Sequence, residues 1–341
     1  MRVRSISAAV MMGLAPLAQA DEPIDVCVFD LIGSSGDQFA LAEDFALDMR
    51  DEGVEFNLKP YTDEDVAMAD FAAGDCNGLM ATDIRIRRYN QFTGTLSAVG
   101  AIPTYDHLET VLTVLADPNN ADRMKSDGYE IAGIFPLGAA FLFVINDEWD
   151  TASDLAGRRI ATLDHHEDAI HMVNYVNASV EPSELTDFGG KFNNHSVDAA
   201  YAPGWAYDAL ELYRGVGDEG GVVDYPLGQL TMQLVVRDDV LTEEQGQRAR
   251  EVAFDMFGDT IALAERYEED IPEDRWIHIP DEDIEDYQEM FRQNRIELRD
   301  GVDSDGDEVR QAYDGDMLTL LRRVRCRFSP DASECTADDR E

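Results

Sequence analysis

A chain of 341 residues is long enough for about two domains of ~100 to 200 residues each. Its 71 acidic side chains against 27 Lys and Arg give a net charge of -44, yet 44% of residues are hydrophobic and 9% aromatic, so the chain buries a core and wholesale disorder is excluded. So negative a surface repels phosphate backbones and anionic headgroups, and the short basic cluster at residues 322–327 does not offset it, which excludes nucleic acid as a partner.

In chain order, residues 1–20 carry Arg2 and Arg4, an apolar stretch, and Ala18-Gln19-Ala20, the small-x-small pattern of a signal peptide cleaved after Ala20. The mature chain is therefore expected in the periplasm, and its acidic excess reads as adaptation to a saline medium. Residues 24–32 read as a buried strand, Gly33-Ser34-Ser35-Gly36 as a turn, and residues 37–52 as a helix with Phe39, Ala42 and Phe45 on one face. A strand at 54–58, a helix at 63–73 and a strand at 78–82 follow. Strands alternating with helices at this spacing require parallel pairing with crossovers, so the first lobe is α/β.

After a helix at 106–115, the uncharged run 131–145 would span about 22 Å as a helix against the roughly 30 Å of a bilayer core. Gly133, Pro136 and Gly138 interrupt it, so it reads as two strands, 131–135 and 140–145, and no stable membrane insertion is expected. A strand at 159–163, a helix at 166–178, an acidic loop and a strand at 197–201 form a second α/β unit. Residues 230–236 are a further strand, and Thr242 with Gln245 makes a capping box that opens one long helix to about residue 267. From residue 281 onward the chain is helical and charged. Four cysteines in an exported chain suggest disulfides; Cys326 and Cys335 lie close together, which leaves Cys27 for Cys76.

Chemistry-bearing motifs are few. The Gly33 to Asp37 turn lacks a P-loop lysine, so Ser34 and Ser35 are read either as a capped turn or as a ligand-facing loop. In Asp164-His165-His166-Glu167-Asp168, His166 and His171 are five apart and diverge by about 140° around a helix, so no metal is expected, although His165 can line a cleft. Asp303-Ser304-Asp305-Gly306-Asp307 misplaces the glycine of a calcium loop. No Gly-x-Ser-x-Gly is present, and neither an enzyme nor a cofactor is expected. What remains is a set of aromatic, amide and arginine side chains at predicted strand ends and turns: Arg85, Arg88, Asn90, Phe92, Phe135, Asn193, Tyr201, Trp205, Tyr225 and Gln229. Ligand clefts of α/β proteins lie at strand carboxyl ends, with apolar walls and a few directed polar groups, so these are the expected ligand contacts.

The order of features from residue 25 to 267 resembles the substrate-binding proteins of TRAP-type transporters (DctP-like). The likeness rests on Gly128-Tyr129-Glu130-Ile131-Ala132-Gly133, Ser153-Asp154-Leu155-Ala156-Gly157-Arg158-Arg159-Ile160 and Val197-Asp198-Ala199-Ala200-Tyr201-Ala202-Pro203. Phe92-Thr93-Gly94, Lys191-Phe192-Asn193-Asn194, Tyr287 to Gln293 and the Leu320 to Cys326 tail resemble a little-characterised branch of solute-binding proteins. The resemblance implies an α/β fold of two lobes, periplasmic binding protein type II-like, with extra C-terminal helices. Lobe 1 would span 21–140, completed by about 230–270, lobe 2 would span 141–229, and the C-terminal helical segment 271–341. It implies capture of a small-molecule solute between the lobes and delivery to the membrane permease subunits of a transporter. Where the family pattern places an arginine that clamps a substrate carboxylate, this chain has Ala161, so Arg85, Arg87 or Arg88 would have to supply the charge. Tyr201 and Ala202 imply a more apolar or aromatic solute. The long segment after residue 281 also suits an exported sensor or envelope assembly protein built on the same scaffold.

Overall fold

A computed structural model describes residues 23–280, 283–337 and 340–341. The signal-peptide segment and its cleavage after Ala20 lie outside the described residues. The strands are β1 (Ile24–Phe29), β2 (Phe56–Tyr61), β3 (Gly78–Thr82), β4 (Lys125–Ser126), β5 (Tyr129–Val144), β6 (Arg159–Leu163), β7 (Ser179–Ser183), β8 (Ala199–Pro203), β9 (Gly221–Arg237) and β10 (Trp276–Ile277). They form one sheet in the order β2-β1-β3-β9-β5-β8-β6-β7, with β10 paired to β9 and β4 to β5. At either end three strands run parallel, β2-β1-β3 and β8-β6-β7. The two long strands β5 and β9, antiparallel to each other, run through both halves.

The helices are α1 (Asp37–Asp51), α2 (Glu64–Ala73), α3 (Asp83–Ile86), α4 (Gln91–Gly94), α5 (Tyr105–Ala116), α6 (Glu167–Tyr175), α7 (Leu185–Asn193), α8 (Ala206–Ala209), α9 (Tyr213–Val216), α10 (Glu243–Asp255), α11 (Phe257–Glu269), α12 (Ile284–Asp300) and α13 (Gly315–Phe328). Side chains alternate across β1, so Val26 and Val28 join the core under α1 and α10, while Cys27 joins the core under α2, α5 and α13. In the other half, α7 and α8 cover one face through Phe188, Phe192 and Ala206, and α6 covers the other through Val173. Cys27 is bonded to Cys76 and Cys326 to Cys335, as the spacing suggested. Among the described residues no helix is long and apolar enough to cross a membrane.

Three expectations are corrected. Residues 131–144 lie in one 16-residue strand rather than two, because β5 keeps pairing with β9 across register shifts between Ile131 and Gly133 and between Pro136 and Gly138. A bulge accommodates proline's missing N–H and the φ of +102° at Gly138 without ending the strand. The acidic loop after α6 holds β7 and α7, and Pro182 sits in β7, an edge strand where a missing donor is tolerated. The helix opened by Thr242, whose capping box with Gln245 is present, is two helices that part at Met256.

Candidate functional site

The carboxyl ends of parallel strands from both halves line one cavity of ≈ 380 Å³. The first half contributes Phe29 at the end of β1 and Leu31 after it, Thr62 after β2, Thr82 at the end of β3, and Ile84 and Arg85 from α3. The second contributes Leu163 to His166 from β6, Glu184 to Thr186 beyond β7, and Tyr201 to Pro203 from β8. Helix α12 closes one side with Tyr287, Met290 and Phe291, and Tyr313 reaches in from the turn before α13. That helix ties both halves together: the Tyr287 hydroxyl donates to the Asp150 carbonyl (2.9 Å), His171 Nε2 meets Glu297 (2.9 Å), and Arg295 donates to the Val99 carbonyl (2.7 Å). The wall is mostly apolar and rich in rings. Tyr225 stacks on Phe291 at 5.9 Å, Phe188 meets Tyr201 edge-on at 5.9 Å, and Trp149 lies under the Arg158 guanidinium at 4.1 Å.

Charged groups at the wall are bound to one another. Glu64 accepts from the Thr82 amide and hydroxyl, both at 2.7 Å; burial pushes its carboxyl up to about 6 against those bonds. Arg85 sits 3.6 Å from Glu64 and 2.8 Å from Asp65. Deeper, Arg87 donates to Asp168 Oδ2 at 2.9 Å, and the Tyr313 hydroxyl donates to the same oxygen at 2.9 Å. His166 Nε2 lies 3.0 Å from Asp168 Oδ1, while its Nδ1 meets the Tyr201 hydroxyl at 2.9 Å. Burial alone would raise the Asp168 carboxyl; the charges of Arg87 and His166 reverse that and hold it well below the usual range. Neighbouring Asp83 is fully buried, and burial pushes its carboxyl up to about 7 against the charge of Arg87.

Of the residues expected from sequence, Arg85, His165, Tyr201, Trp205 and Tyr225 come together at this cavity. The others lie elsewhere. Ser34 and Ser35 are exposed in a short 3-10 turn, and the amides at the start of α1 are taken by Asp30, which accepts from Gln38 (2.9 Å) and Phe39 (3.1 Å). Asn90 caps α4 and donates to the Arg123 carbonyl at 3.0 Å, while Phe92 lies under Arg123. Phe135 is packed edge-on against Phe45 in the core. Arg88 lies over the Tyr89 ring, and Asn193 donates to the Leu210 carbonyl at 3.0 Å. Gln229 is buried in β9 between Gly228 and Leu230, which do line the cavity. Neither Arg85 nor Arg87 is free to clamp a carboxylate, since each is already paired with acidic side chains of the chain itself. Trp149, Asp168, Phe188, Tyr287, Phe291 and Tyr313 were not read from the sequence as cavity residues. Trp149 follows a strand end closely enough to have been included; the α12 and Tyr313 contributions had no local signal. Among the described residues no group of three or more His, Cys, Asp or Glu is placed to hold a metal ion.

Residues 47–340 match the model of the solute-binding protein AdeT 1/2 family. The chain is 35% identical over 313 residues to the probable solute-binding protein AdeT1 of Acinetobacter baumannii, covering 92% of this chain and 100% of the relative. In fold it is similar to a TRAP periplasmic solute binding protein of Desulfovibrio salexigens with bound orotic acid, with a TM-score of 0.70, 14% identity, and coverage of 89% of this chain and 99% of that one. A second, from Rhodoferax ferrireducens with bound malonate, gives a TM-score of 0.68 at 13% identity, covering 90% of this chain and 99% of that one.

Proposed function

We propose that this chain, which belongs to the AdeT 1/2 family of solute-binding proteins, holds its solute in the cavity between the two halves of its sheet and hands it to the permease subunits of a TRAP-like transporter. Capture of a small solute is the role shared with its family. The observation that carries the location is the ≈ 380 Å³ space where strand carboxyl ends of both halves meet, walled by rings from each. A cavity of this size falls within the roughly 300 to 1,000 Å³ of small-molecule sites, and rings on opposite sides give affinity that grows when the halves close. The lobes are taken as residues 21–140 with about 230–270, and 141–229.

The solute is read as largely apolar. Export by a signal peptide cleaved after Ala20 places capture in the periplasm, and the intact mass of the exported chain checks that cleavage. The alternative of an exported sensor or assembly protein rested on the C-terminal segment as an appendage, but α12 and Tyr313 belong to the cavity wall, which favours capture. Trp149 and Trp205 line the cavity, whereas Trp276 packs against Phe141. Protein purified from its native host should release a small molecule on denaturation, seen by mass spectrometry, and adding it back should change the tryptophan emission. A molecule that alters emission equally in a Trp149→Phe/Trp205→Phe chain binds elsewhere, and the assignment of the cavity then fails.

A further inference from the structure

The polar floor of the cavity is arranged around a carboxylate that the chain itself supplies. Asp168, from the first turn of α6 in the second half, is 3% exposed and reaches Arg87, which follows α3 in the first half. Arg87 and the Tyr313 hydroxyl both donate to Oδ2. A positive guanidinium and a hydroxyl converging on one oxygen form a set suited to binding an anion. The place of that anion is taken. The other oxygen differs: His166 Nε2 is near Oδ1 but off the hydrogen-bonding axis, so Oδ1 is a buried acceptor without a hydrogen bond among the described residues, on a residue that lines the cavity. A buried acceptor left without a donor is costly, and a ligand donor arriving there recovers that loss.

We propose that Asp168 determines the class of solute: its carboxylate fills the position beside Arg87 that a carboxylate ligand would need, and its open Oδ1 accepts from the protonated amine of an otherwise apolar molecule. The proposal rests on the capture reading above and adds the ligand's charge. Charge at the wall points the same way. Arg85 faces both Glu64 and Asp65, and Arg87 is paired with Asp168, so neither guanidinium is left over for a second anion. An ammonium group would meet the Asp168 carboxylate at Oδ1, and its apolar body would lie among Trp205, Phe188 and Tyr287. The two neighbours named above hold orotic acid and malonate, both acids, so this site would represent an inversion of ligand charge on a shared fold.

Calorimetric titration of the full chain near neutral pH with two ligands of one skeleton, phenethylamine and phenylacetate, tests this. The wild-type chain should bind the amine about ten-fold more tightly than the acid, a difference of roughly 1.4 kcal/mol. In Asp168→Ala, where Arg87 and Tyr313 lose their carboxylate, the order should reverse. Wild-type preference for phenylacetate, or a folded Asp168→Ala chain that gains no affinity for it, overturns the proposal. Should Asp168→Ala not fold, Arg87→Ala carries the test: it must bind the amine more tightly than wild type, and unchanged or weaker binding overturns the proposal. None of these failures touches the capture reading, which stands or falls on the released solute and on Trp149 and Trp205.

Discussion

Arg87 and Asp168, 81 residues apart in sequence, meet at 2.9 Å and join the two halves of the sheet at the bottom of the cavity. Both are buried, with side-chain exposures of 13% and 3%. Removing one partner leaves the other charge buried and uncompensated, a loss of about 3 to 5 kcal/mol. The pair Lys59–Asp25 has the same 2.9 Å separation but is more than a third exposed on both sides, and such pairs contribute about 0 to 1 kcal/mol. Arg87→Met should therefore lower the urea midpoint far more than Lys59→Met; equal losses would show that Arg87 is solvated and that the halves are not joined as described.

Asp83 gives a pH dependence of definite sign. Its carboxyl rises from 3.8 to about 7 on folding, so the folded chain holds the proton more tightly than the unfolded one. Its contribution to stability is present below 3.8 and is lost as pH rises through about 7. Asp168 works in the opposite sense: its lowered carboxyl contributes stability above the unfolded value that is lost in strong acid. Asp83→Asn should leave stability little changed in mild acid and raise it, relative to wild type, as pH climbs toward neutral. Denaturant titrations across that window check it, and parallel curves for the two chains would remove Asp83 from the explanation.

The two disulfides close loops of unequal length, with sequence separations of 49 and 9. Restriction of the unfolded chain is worth about 4 kcal/mol for the longer loop and about 3 kcal/mol for the shorter. Cys27→Ala/Cys76→Ala should melt below Cys326→Ala/Cys335→Ala, more so because Cys27 and Cys76 are buried in the core under α2, α5 and α13. A calorimetric scan of both double variants tests the ranking.

Gly100 couples the cavity wall to the fold. It adopts φ +61°, and an added Cβ would lie 2.3 Å from the Phe291 ring. Gly100→Ala should cost about 1 to 3 kcal/mol through the backbone conformation, and should push Phe291 off its stack with Tyr225. Both a lower melting temperature and weaker solute binding are expected. Loss of stability with unchanged affinity would place Phe291 outside the binding surface.

The first parallel unit was legible because its information is local: short apolar runs mark β1 and β3, α1 carries an apolar face between them, and Asp63 marks the start of α2. What failed was also local in origin. Pro136 reads as a strand breaker and the stretch after α6 as an acidic loop, yet pairing with β9 carries β5 past the proline, and pairing with β6 makes β7 an edge strand within that loop. Tyr201, Trp205 and Tyr225 could be anticipated at the cavity because strand ends are where α/β proteins bind ligands. Asn90, Asn193 and Gln229 match the same description but are turned to capping and core duties, a difference set by neighbours that the local sequence does not contain.

Composition and pattern by themselves determined that this is an acidic α/β chain with two cysteine pairs and strand ends fit to line a cleft, because these properties depend on residues close together in the chain. Only the folded arrangement decided which charges remain available to a ligand. Arg87, Asp168 and Tyr313 are brought together by the end of α3, by α6 and by the turn before α13, the last two 145 positions apart, and a charge cancelled at that distance leaves no trace in the spacing of either residue.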